Sequence, residues 1–262
     1  MLTGQKDGRA CAGVMLNEVA FPNFSIIMRQ AGMDFLILDG EHGGFDYTGM
    51  AGLIMVARLS GIPIVVRLPD NGRRDITKAM DMGADGLLLP MTDSAEEIRE
   101  VVRYAKYAPL GQRGISTNRG HTFYDPGCLE DYMGQANGEN MIFAQIETRR
   151  GVENIDEILG VDGVDGIFIG PNDLSCDLGC MGERGKEPVL EAIRTAGRAA
   201  AKSGKRAGII TEKDAFLEEA GKCGFDLFCC GSEISFWKKA GRDISERIHR
   251  MGAEKEGEKE GI

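Results

Sequence analysis

The chain has 262 residues, of which 42% are hydrophobic and 27% charged, and it carries a net charge of −10. Such a charge disfavours nucleic acid and anionic membrane surfaces as main partners. No apolar run approaches the roughly 20 residues that cross a bilayer, and the polar stretch Met1–Ala10 holds no signal-type apolar core, so the expected location is the cytoplasm.

Eight short apolar runs follow one another along the chain: Cys11–Leu16, Asp34–Asp39, Ile62–Leu68, Gly86–Met91, Met141–Glu147, Gly166–Gly170, Arg206–Thr211 and Asp226–Gly231. Amphipathic stretches lie between them, among them Ser94–Tyr104, Val152–Leu159, Pro188–Ser203 and Lys213–Cys223. Strands alternating with helices imply a parallel sheet. Eight units in a chain of this length favour a single-domain α/β fold, the closed (β/α)8 TIM barrel. The competing fold is an open doubly wound sheet, which usually has a Gly-rich turn after its first strand; Leu16–Ala20 is not one. Two segments break the rhythm. Pro109–Gly138 reads as a long Gly-rich loop of the kind that usually carries function, and Ala253–Ile262 reads as a charged, disordered tail. The seven cysteines are odd in number and lack C-x-x-C spacing, so they read as reduced thiols.

In a barrel, chemistry gathers at the C-terminal ends of the strands. The second strand ends in Asp39-Gly40-Glu41-His42, and two residues of spacing puts Asp39 and Glu41 on one face if the strand continues. The third ends in Arg67, an arginine in an apolar strand that needs an anion, either substrate or protein. The fifth carries Gln145 and Glu147 opposite Ile146. The sixth runs into Gly170-Pro171-Asn172-Asp173, where Asp173 alone reads as a helix cap. Together, Glu147 and Asp173 end neighbouring strands, and converging carboxylates need protons or a cation. Oxygen-only ligation suits Mg²⁺ or Mn²⁺. With only His42, His121 and His249 present, a histidine-rich zinc site is disfavoured. Carbanion chemistry beside a ketone requires either a lysine Schiff base or a metal ion; no lysine lies in any of the eight runs, and Lys213 reads as a polar helix start.

The segments Asp34–Gly44 (DFLILDGEHGG), Ile64–Arg67, Met80–Met91, Tyr107–Gly114, Ala144–Thr148 (AQIET) and Gly163–Leu178 (GVDGIFIGPNDLSCDL) together resemble the metal-dependent pyruvate aldolases of the HpcH/HpaI family. These cleave 4-hydroxy-2-oxo acids, such as 2-keto-3-deoxy sugar acids, to pyruvate and an aldehyde through a metal-stabilised pyruvate enolate. The resemblance runs from about Gly13 to Arg242. It implies Glu147 and Asp173 as ligands of Mg²⁺ or Mn²⁺, with Co²⁺ as a further candidate. Arg67 would hold the pyruvate oxygens and Gln145 would contact bound pyruvate. Gly170, Pro171, the Asn172 N–H and Ile210 would line the substrate. His42 with Asp39 would form an acid–base dyad. Asp81 would reach a neighbouring subunit's site in a homohexamer built as a trimer of dimers. The chain departs from the family pattern at Met15–Leu16, Thr117–Gly120 and Ile209–Thr211, positions that the resemblance assigns to the aldehyde side. Two other readings stay open: a related lyase or condensing enzyme on the same site (oxaloacetate decarboxylase, citrate-synthase-like or acyl-CoA lyase), and a barrel that binds without catalysing.

Overall fold

The computed structural model describes residues 9–182 and 186–257. Eight parallel strands close into a barrel in sequence order: β1 (Cys11–Leu16), β2 (Phe35–Asp39), β3 (Ile64–Arg67), β4 (Gly86–Leu89), β5 (Met141–Ile146), β6 (Gly166–Ile169), β7 (Arg206–Ile210) and β8 (Leu227–Ser232). Each sequence-expected strand is present and most are shortened at the ends. The open doubly wound alternative is excluded by the β1–β8 pairing, in which Cys11 faces Leu227 and Gly13 faces Cys229.

Alternation within the strands explains the two cores. Leu36, Leu38, Ile64, Val66, Ala144 and Ile146 face outward and join the helices in one large apolar cluster. Phe35, Ile37, Val65, Phe143 and Phe168 face inward and fill the barrel with Met15, Leu88 and Cys229. Two glycines make room for the inner rings. A Cβ at Gly13 would stand 2.3 Å from the Phe35 ring, and one at Gly208 would stand 2.4 Å from the Phe168 ring. The interior is therefore a plug of side chains, and Asp39, Arg67, Gln145 and Glu147 continue the inward series at its C-terminal end.

The helices that matter here are α1 (Phe24–Gln30), α2 (Tyr47–Ser60), α3 (Arg73–Met82), α4 (Ala95–Ala105), α5 (Leu129–Glu139), α6 (Arg149–Glu153), α7 (Ile155–Leu159), α8 (Pro171–Asp177), α9 (Lys186–Ser203), α10 (Asp214–Lys222) and α11 (Glu233–Gly257). Helix α4 begins on a full capping box between Ser94 and Glu97. Three expectations change. The stretch Pro109–Gly138 is not one loop: it holds a 3-10 turn at Gly120–Thr122 and most of α5. Helix α5 contains Gly134, Asn137 and Gly138, poor helix formers, and tertiary bonds hold it instead. The Asn137 side chain accepts from the Tyr107 N–H at 2.7 Å and donates to the Tyr107 carbonyl at 2.9 Å, while the buried Lys106 ammonium donates to the carbonyls of Asn137 and Asn140. The stretch Val152–Leu159 divides at Asn154, whose amide donates to the Asp93 carbonyl. Helix α11 continues through Gly257, into the segment expected to be disordered; glutamate and lysine favour helix well enough for that. The remainder of that tail (258–262) and residues 1–8 of the polar N-terminal stretch lie outside the described residues. All seven cysteines are free thiols. No helix among the described residues is long and apolar enough to cross a membrane.

Candidate active site

The barrel's polar end is built by neighbouring strands. Asp39 and Arg67 are register partners on β2 and β3, which places their side chains together above the apolar plug. The Arg67 guanidinium donates to both Asp39 oxygens, Nε to Oδ1 at 2.9 Å and Nη2 to Oδ2 at 2.7 Å. Its third nitrogen lies 3.2 Å from Glu41 Oε2. Both groups are buried, Asp39 at 1% and Arg67 at 7% exposure. Burial opposes the charge on Arg67, but the Asp39 hydrogen bonds and the charges of Asp39 and Glu41 hold its pKa above the usual value. Burial likewise pushes Glu41 up, against the pull of Arg67. Of the two anions anticipated for Arg67, the structure supplies protein carboxylates, and it supplies two.

The expected Asp39–His42 dyad is not formed. Asp39 Oδ1 already accepts the backbone N–H groups of Glu41 and His42 at 3.1 and 3.2 Å, and Arg67 takes both oxygens. The His42 ring points to Glu41 instead, with Nε2 3.8 Å from Oε2, and its side chain is 71% exposed. It stands at the mouth of the barrel, in reach of solvent.

On the opposite side, β5 delivers Gln145 and Glu147. Glu147 is 2% exposed. Its Oε1 accepts the Met91 N–H at 2.7 Å and its Oε2 accepts the Gln145 amide at 2.5 Å. Burial, chiefly, pushes its pKa up to about 7, with the charges of Asp173 and Glu41 adding to the rise. Gly170 is required beside it, because a Cβ there would stand 2.4 Å from Glu147 Oε2. Pro171 opens α8, Asn172 is exposed, and Asp173 sits in the first turn with its side chain toward solvent. Asp173 is therefore not the helix cap; Gly170 is. Ile210 packs against the inner cluster at the end of β7.

The donor set fits a hard cation. Neither Glu147 nor Asp173 has a cationic side chain within 4.0 Å among the described residues, and the buried Gln145 Oε1 has no hydrogen-bond partner. A divalent ion would hold Glu147 ionised and leave coordination positions for water and substrate oxygens. The described residues contain no cluster of three or more His, Cys, Asp or Glu side chains arranged for a metal, so protein ligation would be sparse and open.

Asp81 lies elsewhere. It is on the outer helix α3, with its carboxylate 3.2 Å from Arg113 and 3.8 Å from His121 Nε2. Residues Thr117–Gly120, assigned by resemblance to the aldehyde side, also lie on the outer wall, where Arg119 and Gly120 line a recess with α3. Neither group meets Glu147 within this chain. His121 is buried, bonded through Nδ1 to the Tyr132 hydroxyl and through Nε2 to the Ser116 carbonyl; burial lowers its pKa, so it serves to hold α5 to the turn before it.

Sequence reasoning overlooked Glu233. This fully buried acid at the start of α11 accepts three successive N–H groups, from Asn17, Glu18 and Val19, at 2.8, 2.6 and 3.1 Å. It fixes the β1–α1 loop at the rim of the site. The available signal was an acid directly after the eighth strand.

Comparison with known proteins gives a consistent picture. The family model described as HpcH/HpaI aldolase/citrate lyase matches residues 19–227. A hydroxypyruvate/pyruvate aldolase of Roseovarius nubinhibens is 38% identical over 82% of this chain and 83% of its own length. A 5-keto-4-deoxy-D-glucarate aldolase of Klebsiella pneumoniae is 33% identical, covering 88% and 90%. Among solved structures, an HpcH/HpaI aldolase from Desulfitobacterium hafniense superposes with a TM-score of 0.87 at 34% identity, over 94% of this chain and 95% of that one.

Proposed function

The chain belongs to the HpcH/HpaI aldolase/citrate lyase family, and on that footing we propose that it is a divalent-metal-dependent aldolase that reversibly cleaves a 4-hydroxy-2-oxo acid to pyruvate and an aldehyde. The observation that carries the reading is the buried Glu147–Gln145 pair beside Asp173 at the end of the barrel, a carboxylate set with no cationic side chain within 4.0 Å among the described residues. Glu147 and Asp173 would hold Mg²⁺ or Mn²⁺, and Gln145 would turn its unpartnered Oε1 side to the ligand. The metal would polarise the ketone and stabilise charge on the adjacent carbon.

The chain's own groups account for the rest. Arg67 is fixed by the two-oxygen clamp of Asp39, and a substrate carboxylate would take the place of Glu41 at its third nitrogen. The backbone N–H at Asn172, where α8 begins, offers a further donor. The apolar plug below excludes water from the buried side. His42, exposed at the mouth of the barrel, would be the group that takes up and returns the aldol hydroxyl proton, and Glu41, rather than Asp39, is the carboxylate nearest its ring.

This division of labour is testable. His42→Ala should lower aldol cleavage by roughly 10²-fold or more and leave exchange of the pyruvate methyl protons for deuterium much less affected. Equal losses in both assays would remove His42 from the hydroxyl proton transfer.

We also propose a homo-oligomer, the hexamer that the family resemblance implies. Beyond Phe236, every described side chain of α11 is exposed through Met251. Trp237, Ile244, Ile248 and Met251 are each more than half exposed, at a spacing that aligns them on one helical face. Exposed stripes of this kind mark contact surfaces. Ile244→Glu with Ile248→Glu should yield a smaller species in light scattering. An unchanged mass would sever α11 from assembly, and a wild-type monomer would remove the oligomer.

A further inference from the structure

The loop that Glu233 fastens bears on the turn that carries His42. Glu233 is the first residue of α11 and is fully buried. The helix start around it is tied down: the Ser232 N–H donates to Ser235 Oγ at 3.0 Å, and the Ser235 N–H donates to Ser232 Oγ at 3.2 Å. The Asn17, Glu18 and Val19 N–H groups all converge on one Glu233 oxygen, Oε1. Successive backbone N–H groups aimed at one point form a concavity for an anion, and the N-terminus of a long helix adds to it. No lysine, arginine or histidine nitrogen lies within 4.0 Å of either Glu233 oxygen among the described residues, and Oε2 has no hydrogen-bond partner. The N–H dipoles of residues 17–19 thus hold the carboxylate, and the carboxylate in turn dictates the path of those residues.

From there the constraint passes to the active-site turn. The Asn17 carbonyl accepts the Gly44 N–H at 2.8 Å. Glu18 lies over the same residue, with Oε2 3.2 Å from where a Gly44 Cβ would stand. The turn at residues 39–44 is therefore secured at both ends. At its start, Asp39 accepts from Arg67, and the Gly40 N–H donates to the Arg67 carbonyl at 2.9 Å. At its end, Gly43 closes so tightly on the Asp39 carbonyl that a Cβ would stand 2.1 Å from it, and Gly44 is held by Asn17. Glu41 and His42 lie between these anchors. The His42 side chain is 71% exposed, so packing does not place its ring; the backbone of the turn does.

We propose that Glu233 is a positioning residue for proton transfer at His42, acting through residues 17–19 and Gly44. The inference rests on the aldolase reading of His42. A misplacement of about 1 Å in a reacting group can cost roughly 10²-fold in rate. Enolate formation, assigned to Glu147 and Asp173 at the ends of β5 and β6, lies outside this route. Loss of Glu233 therefore separates the two halves of the reaction, which a general loss of stability does not.

The test is a double-mutant cycle on the full-length protein with Mg²⁺, read in two assays. One is cleavage of 4-hydroxy-2-oxopentanoate to pyruvate and acetaldehyde; the other is exchange of the pyruvate methyl protons for deuterium. Glu233→Ala should lower kcat for cleavage about tenfold or more and change methyl exchange by less than about twofold. In a His42→Ala background the same change should cost cleavage little further. Glu233→Gln keeps an acceptor oxygen in place and should restore most of the rate. If the alanine variant does not fold, Glu233→Asp, whose carboxylate is one methylene short of the loop, takes its place in the cycle. Amide exchange of the peptide spanning residues 40–46, followed by mass spectrometry, should quicken about tenfold or more in either variant. Equal losses in both assays, an undiminished loss in the His42→Ala background, or unchanged amide exchange in that peptide overturns the inference. A His42→Ala enzyme that keeps full cleavage overturns the reading of His42 and the inference with it, whereas a selective loss in His42→Ala beside an unaffected Glu233→Ala enzyme overturns the inference alone.

Discussion

Glu147→Gln should lower both pyruvate methyl exchange and aldol cleavage by roughly 10²–10³-fold, the scale of losing one preorganised stabiliser of developing charge, without lowering the melting temperature of the metal-stripped protein. The two halves of this result have one cause. Glu147 is buried, and burial raises its folded pKa to about 7, above the ordinary carboxylate value. A carboxyl with a raised folded pKa favours the folded state while protonated, and that advantage declines as pH rises from its unfolded value through about 7. At pH 8 the wild type without metal must hold a disfavoured buried charge, whereas the amide need not. The amide also preserves one acceptor for the Met91 N–H and a partner for Gln145. Thermal melts at pH 8, with and without added Mn²⁺, check the claim. A variant that keeps wild-type exchange would end the assignment of Glu147 as a metal ligand.

Arg67→Ala should be the most destabilising single change at this end of the barrel, by about 3–5 kcal/mol, because it leaves the buried Asp39 without its cation. For a domain of this size that corresponds to a fall in Tm of roughly 10 °C. The loss belongs to the orphaned acid more than to a missing attraction. Asp39→Asn/Arg67→Met, which removes both charges and restores apolar volume, should therefore melt well above Arg67→Ala. Urea midpoints of the wild type, Asp39→Asn, Arg67→Met and the pair close the cycle. Additive losses would mean that Asp39 and Arg67 act independently.

Much of this arrangement was legible in the sequence because strand alternation is a strict code. The pattern Phe143-Ala144-Gln145-Ile146-Glu147 puts Gln145 and Glu147 inward by period alone. An arginine at the end of an apolar strand required a buried anion, and Asp39 is its register partner. What stayed hidden depends on contacts between distant parts of the chain. Helix α5 has the composition of a loop and exists because Asn137 bonds Tyr107 across 30 residues. Glu233 serves Asn17, Glu18 and Val19 from more than 200 positions away. The Asp39–His42 pairing failed because a carboxylate has limited acceptor capacity, and Arg67 with two backbone N–H groups fills it. No local rule ranks such competitors.

The close fits inside the barrel also constrain how related chains can diverge. Gly13 leaves space that the Phe35 ring occupies, and Gly208 leaves space for Phe168. A methyl group gained on one side of either pair needs bulk removed on the other. Positions 13 and 35, and positions 168 and 208, should therefore change in concert among homologues, with large residues alternating between the two members of each pair. Residues in the loops above the plug are free to vary without touching that inherited volume balance. Those loops can thus change many times in a lineage while these four positions retain a record of its older descent.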